Sequence, residues 1–203
     1  MVRMTELTFR AAISPIDDAT RAHMTGRSWR DDPACPRFDE LHVIRMSYWG
    51  FDDCVHDGEL VVNATVAEDV VVAFERIFAA RFPIGGMQRI DAFDADDHAS
   101  MAANNCSAFN FRFIETTVGS ATPRLSQHSY GLAIDLNPVQ NPWVRNDAVL
   151  PVDGTVYLDR DDVRPGMIVR PGPVIAAFES IGWQWGGEWN DYQDYHHFSA
   201  HGG

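Results

Sequence analysis

Leu41-His-Val-Ile-Arg-Met-Ser-Tyr48 and, beyond Asp57-Gly58, Glu59-Leu-Val-Val-Asn-Ala64 run straight into Thr65-Val-Ala-Glu-Asp-Val-Val-Val-Ala-Phe-Glu-Arg-Ile-Phe78. In the first segment Leu41, Val43, Arg45 and Ser47 alternate with His42, Ile44, Met46 and Tyr48, the two-residue period of a strand, and the second segment is a short β-prone run. Then the period changes. Thr65 with Glu68 three residues on has the form of a capping box, and Val70, Val71, Ala73, Phe74, Ile77, Phe78 and Phe82 recur as one apolar helical face that Pro83 ends. Further along, Ala108 to Glu115 and Ala133 to Leu136 read as strands, and Pro173 to Ile181 as a short helix with Val174, Ala177 and Phe178 inward. Strands and helices are interspersed without a regular β-α-β alternation. The expected class is therefore α+β, a small antiparallel sheet with flanking helices.

Upstream, residues 1–40 mix turn formers (Ser14-Pro15, Asp32-Pro33, Cys35-Pro36) with charge, which suggests a loosely structured arm packed on a later core. The 203 residues, 45% apolar, carry no internal repeat, low-complexity tract or Gly/Ser linker, so one domain is expected, with residues 41–203 as its body.

The formal charge is -13, from 29 acidic residues against 16 basic ones, and every basic residue is arginine. Such a chain repels phosphates at long range, which argues against nucleic acid and anionic membrane surfaces as partners. Met1 to Thr20 carries Arg3, Glu6, Arg10, Asp17 and Asp18 and lacks the apolar core of a secretory signal, and no apolar run reaches the length of a membrane span, so a soluble protein is expected. Cys35, Cys54 and Cys106 are too few for a disulfide scaffold; three buried thiols are expected, with a Cys35–Cys54 bridge as the alternative.

Most of the eight histidines need no role beyond surface or core hydrogen bonding. His128 differs because it opens His128-Ser-Tyr-Gly-Leu-Ala-Ile-Asp135. Gly131 permits a tight turn, and the strand beyond it lets Asp135 share a face with Ala133 and point back toward His128. An imidazole and a carboxylate so placed are two of zinc's usual ligands, and a catalytic zinc takes a third protein group. The C-terminal segment offers it: Asp194-Tyr-His-His197 sets a carboxylate three residues before a histidine, close enough to accept a proton from water. Adjacent histidines on a strand face opposite sides, so His196 and His197 are not both expected on one metal.

The pair HxxGxAxD and DxxHF, with Trp185-Gly-Gly-Glu-Trp189 just before the second, resembles the zinc peptidases that cut peptidoglycan stem peptides: VanY-like D-alanyl-D-alanine carboxypeptidases and the L-alanyl-D-glutamate endopeptidases of phage endolysins. The resemblance covers roughly Leu41 to Ser199, and its most specific part is the joint occurrence of both motifs in this order. It implies one zinc ion on His128, Asp135 and His197, the last because the ligand directly precedes the aromatic, here Phe198. It implies that Asp194 activates water. The segment Asn104 to Arg112 looks like the one whose arginine sits over the active site, so Arg112 would hold the scissile carbonyl oxygen, the other reading being a structural salt bridge.

Three positions depart from the pattern: Glu188 where aspartate is usual, Cys106 where threonine is common, and Ser199 where glutamate or glutamine is frequent. Ser126 and Ser129 beside His128 lack an oxyanion-hole glycine motif and are read as hydrogen-bonding supports of a ligand. Trp183, Trp185 and Trp189 are read as core and cleft-wall aromatics, one of them touching substrate. Asp52-Asp53 and Asp94-x-Asp96-Asp97 are read as solvated loops.

The expectation is a monomeric zinc peptidase that acts on peptidoglycan stem peptides outside the membrane, by an export route that the sequence does not display. A non-catalytic zinc-containing wall- or protein-binding module is the alternative from another class, and a D-amino-acid dipeptidase a further one.

Overall fold

The computed structural model describes residues 8–114 and 124–202. The chain enters as strand β1 (Ala11–Pro15) and helix α1 (Asp18–Met24), then forms the long hairpin β2 (Leu41–Trp49) and β3 (Val55–Asn63), and helix α2 (Ala67–Ala79) comes next. After α3 (Asp97–Ala102) come β4 (Ala133–Asp135), β5 (Trp143–Arg145), β6 (Ala148–Leu150), α4 (Pro173–Glu179), β7 (Gln184–Trp185), β8 (Gln193–Asp194) and β9 (His197–Ser199). They make three antiparallel three-stranded sheets among the described residues, in the orders β1-β2-β3, β4-β9-β7 and β6-β5-β8.

The hairpin is buried on both faces, which explains its apolar density. Ile44 and Met46 on one face, with Leu60 and Val62 across from them, join Val70, Ala73, Phe74 and Ile77 of α2 in the main core. Leu41, Val43 and Val61 on the other face are covered by Ile16, Met24 and Cys35. The N-terminal segment is thus more ordered than the sequence suggests: residues 11–15 pair along β2 as an edge strand, and α1 with its flanking turns closes the second face of the sheet. Helix α4 packs on α2, with Phe178 edge-on to Phe74 at 6.1 Å and stacked on Phe198 of β9 at 4.2 Å. That stack joins the core to the short sheet that carries the site.

Three local expectations are corrected. Thr65 does not cap α2; its backbone N–H and hydroxyl both donate to Asn63 Oδ1, at 3.1 and 2.7 Å, and a short 3₁₀ turn over Ala64–Val66 leads into the helix. Asn and Asp compete well for nearby backbone groups, and Asn63 reaches the amide first. The helix also stops before Pro83. Arg81 adopts a left-handed φ of 53°, and Phe82 N–H returns to the Ile77 carbonyl. Finally, residues 108–114 form no strand. The N–H groups of Phe109, Asn110 and Phe111 bond in turn to Val61, His128 and Ser28, three separate segments, and only Phe113 makes an antiparallel bridge, to Leu125; the end of that expected strand, Glu115, lies outside the described residues.

All three cysteines are free: Cys35 and Cys106 are buried and Cys54 is exposed at the hairpin end, so no Cys35–Cys54 bridge forms and one thiol faces solvent. Among the described residues no helix is long and apolar enough to cross a membrane.

Candidate metal centre

His128 lies in a 3₁₀ turn, Gln127–Tyr130, that Ser126 opens by accepting the His128 backbone N–H at 3.3 Å. The turn closes on Gly131 at φ 67°, where a side chain would be strained and a Cβ would sit 2.6 Å from the Asn63 backbone nitrogen. Glycine lets the turn press against β3, and the Asn63 N–H bonds to the Gly131 carbonyl at 2.9 Å. The chain then runs directly into β4.

In β4 and β9, Ile134 opposes Phe198, both fully buried in the core, so the next pair, Asp135 and His197, projects from the other face. That register brings the chemistry together. Asp135 Oδ1 is 3.0 Å from His197 Nδ1, Asp135 Oδ2 is 3.1 Å from His128 Nε2, and the two ring nitrogens are 3.3 Å apart. His128 donates its Nδ1–H to the Ala108 carbonyl at 2.6 Å, which fixes the ring and leaves Nε2 to face inward. Among the described residues, His128, Asp135 and His197 are the group able to hold a metal ion, each buried and each offering an atom within 4.8 Å of the others.

The group is electrostatically tight. Burial alone would lower the His128 imidazole, but the Asp135 carboxylate outweighs it and holds His128 above its ordinary value. Burial would raise Asp135, yet the imidazoles of His128 and His196 hold it well below the usual carboxylate range.

His196 lies outside the three-residue metal group, but not because strand side chains alternate as the sequence suggested: it sits in the turn just before β9 and still approaches Asp135. It donates Nδ1–H to the Asn141 carbonyl at 2.8 Å, and its Nε2 lies 2.9 Å from Asp194 Oδ1 and 3.9 Å from Asp135 Oδ2. Burial works against its charge, but Asp194 and Asp135 prevail and push its pKa up to about 10. The Asp194 contact is thus a close, buried ion pair. Asn141, unremarkable in the sequence, holds this arrangement from behind. Its side-chain amide donates to the Leu136, Asn137 and Gly166 carbonyls, and its Oδ1 accepts from Ile168 N–H and the Arg160 guanidinium.

Gly186 is a second glycine demanded by space. A Cβ there would meet the Asp194 carbonyl oxygen at 2.8 Å and His197 Cβ at 3.3 Å. Gly186 is thus the close-packed floor under both residues, while Gly187 lies against the Trp185 ring. Of the three tryptophans, Trp183 is buried in the core, Trp185 donates its indole N–H to the Tyr195 carbonyl, and the half-buried Trp189 packs its ring 5.2 Å from that of His197.

Arg112 pairs with Asp97 at 2.9 Å, so the salt bridge is real, and its positive charge also reaches His128, on which it acts to lower the pKa. Its Nε is buried without a hydrogen-bond partner. Asp97 therefore leaves the solvated run that the sequence suggested, while exposed Asp96 caps α3 by accepting the Ala99 N–H. The serines play supporting parts: Ser129 Oγ accepts the Arg112 N–H at 2.9 Å and donates to the Arg112 carbonyl at 2.7 Å. Of the three unusual positions, Glu188 pairs with Arg170 at the surface, Cys106 is fully buried, and Ser199 is buried with no partner for its hydroxyl.

No curated protein and no solved structure matches the chain. Residues 120–200, which carry His128, Asp135, Asp194 and His197, match the model of a family described as D-alanyl-D-alanine carboxypeptidase, so the peptidase family read from the two motifs is the one that this segment matches.

Proposed function

We propose that the protein is a zinc peptidase that hydrolyses a peptide bond in bacterial peptidoglycan stem peptides. The convergence of two imidazole nitrogens and one carboxylate on a single buried point carries this reading. The donor set fits zinc, which takes three N and O ligands of this kind at catalytic sites and keeps a position open. His128 would bind through Nε2, His197 through Nδ1, and Asp135 through its carboxylate. Zinc held there supplies Lewis acidity, polarising a carbonyl and making water acidic near neutral pH.

Asp194 is the general base: with Oδ1 paired to His196, its carboxylate takes a proton from the attacking water and then returns it to the leaving amine. His196 holds that carboxylate at a fixed place beside the metal group. Arg112, anchored by Asp97, presents its charge to the developing oxyanion. A module that only bound wall would have no use for a carboxylate kept in this way.

The test is mass spectrometry of stem-peptide fragments incubated with the zinc-loaded protein, with and without chelator. New amine termini that vanish with chelator support the reading; binding to wall without cleavage overturns it.

A further inference from the structure

Beside the metal group, the sheet β6-β5-β8 presents a face of which the chemistry above uses Asp194 alone. Trp143 in β5 lies directly across from Asp194 in β8, and Val144 across from Gln193. The next pair in that register is Arg145 and Tyr192, and the Arg145 guanidinium sits 5.9 Å from the centre of the Tyr192 ring. Because side chains alternate along a strand, Asp194, Trp143, Tyr192 and Arg145 share one face. The rings are continuous with the metal group: Trp143 is 5.9 Å from Tyr192, Tyr192 is 5.1 Å from Trp189, and Trp189 is 5.2 Å from His197. The face thus runs outward from the base across aromatic ground and ends at a cation.

From this register we infer that the Trp143–Tyr192–Arg145 face is a substrate subsite for an extended peptide bearing a free carboxylate. The inference rests on the peptidase reading above. Arg145 stands two residues along β5 from the position opposite Asp194, about 7 Å, which is about the reach of two residues of an extended peptide. The carboxylate it recognises is therefore about two residues from the bond cleaved. Trp143 and Tyr192, both half-buried, keep a partly apolar floor beneath the intervening backbone. The charges that reach the Tyr192 hydroxyl are Asp194 and Asp191 on one side and Arg124 and Arg145 on the other, so the cationic end of the face is set by the two arginines. In a chain of net charge -13 that cationic end is local, and it selects where an anionic group lands. Recognition does not need an otherwise unengaged guanidinium, because arginine carries five N–H donors and can serve more than one acceptor.

The experiment compares stem-peptide fragments with free carboxylates and the same fragments after amidation, using zinc-loaded wild type, Arg145→Gln and Tyr192→Leu. Cleavage is measured kinetically and binding by calorimetry, and zinc content is determined for each protein. Wild type is expected to prefer the acid over the amide by about tenfold in kcat/KM, as for a partly desolvated ion pair. Arg145→Gln should bring that ratio close to one through KM, and Tyr192→Leu should raise KM for both forms, with zinc content unchanged. Equal cleavage and binding of acid and amide by wild type overturns the subsite, as does a preference that survives Arg145→Gln. A wild type that cleaves neither form but binds the acid preferentially keeps the subsite and overturns the peptidase reading instead.

Discussion

Asp135 and His197 face each other across β4 and β9 with Oδ1 3.0 Å from Nδ1, one register step from the core pair Ile134 and Phe198. The site is therefore set by packing on the opposite side of the same two strands. A slip of one residue would drive the carboxylate into the apolar core and turn the phenyl ring toward the metal group. Phe198→Ala should cost about 3–5 kcal/mol in denaturant unfolding, because Phe198 is fully buried and stacked on Phe178. Metal affinity, read by calorimetry on the folded fraction, should fall with it; unchanged affinity would separate the register from the site.

Asp194→Ala and His197→Ala divide the chemistry from the metal. The first should keep zinc, measured by elemental analysis after dialysis, and lose turnover by about 10²–10⁴-fold. The second should lose both. Zinc retained at full stoichiometry in His197→Ala would remove that residue from the ligand set.

Gly131 and Gly186 make a pair of backbone tests. Gly131→Ala forces a left-handed residue and a 2.6 Å approach to the Asn63 nitrogen, so it should lower stability by about 1–3 kcal/mol. Gly186→Ala has no such φ but pushes on Asp194 and His197. Its loss should show in kcat more than in the melting temperature.

The thiols should separate cleanly in native protein. Cys54 is exposed and should react with a disulfide reagent within the mixing phase, whereas Cys106, buried with its pKa pushed up to about 12 by desolvation, should not react until the chain unfolds. The same shift sets a pH dependence of stability. An unfolded thiol ionises near its ordinary value of 9.0 while the native one does not, so Cys106 makes unfolding easier as pH rises from about 9 toward 12. Cys106→Ser should flatten that part of the curve, and an unchanged alkaline slope would assign it to other groups.

Salt offers a test of the acidic exterior. A surface with net charge -13 is repelled by an anionic wall, so cleavage of intact wall should rise with moderate salt as the repulsion is screened, while cleavage of soluble fragments changes little. A steady fall from low salt upward on intact wall would count against it.

The hairpin and α2 were legible because their apolar residues repeat at periods that burial enforces, and β2 shows this on both faces. Strand β1 was not, since it lies at a sheet edge with its residues largely exposed and so carries no alternation. The 108–114 segment misled for the opposite reason: its first half is buried enough to look like a strand, but the N–H groups of residues 109–111 go to three separate segments. At the site, His128, Asp135, Asp194 and His197 were legible as spaced residue types, and the structure brings three of them to one point. The Ala108 carbonyl, Asn141 and Trp143 left no trace, because a backbone oxygen, a carboxamide in a loop and a strand register have no signature in spacing. Asp97 was hidden in an acidic run, and its pairing with Arg112 spans too much chain for a local pattern to show.

Asn141 ties the fate of an outlying loop to that of the site. The Asn141 carboxamide grips the chain at Gly166 and Ile168 and the Arg160 guanidinium, while the backbone carbonyl of the same residue anchors His196. Local opening of residues 160–168 would leave that carboxamide only the Leu136 and Asn137 carbonyls and so loosen the residue that holds the imidazole. Loop and site thus form one cooperative unit, whose amide protons should exchange with solvent at a common rate.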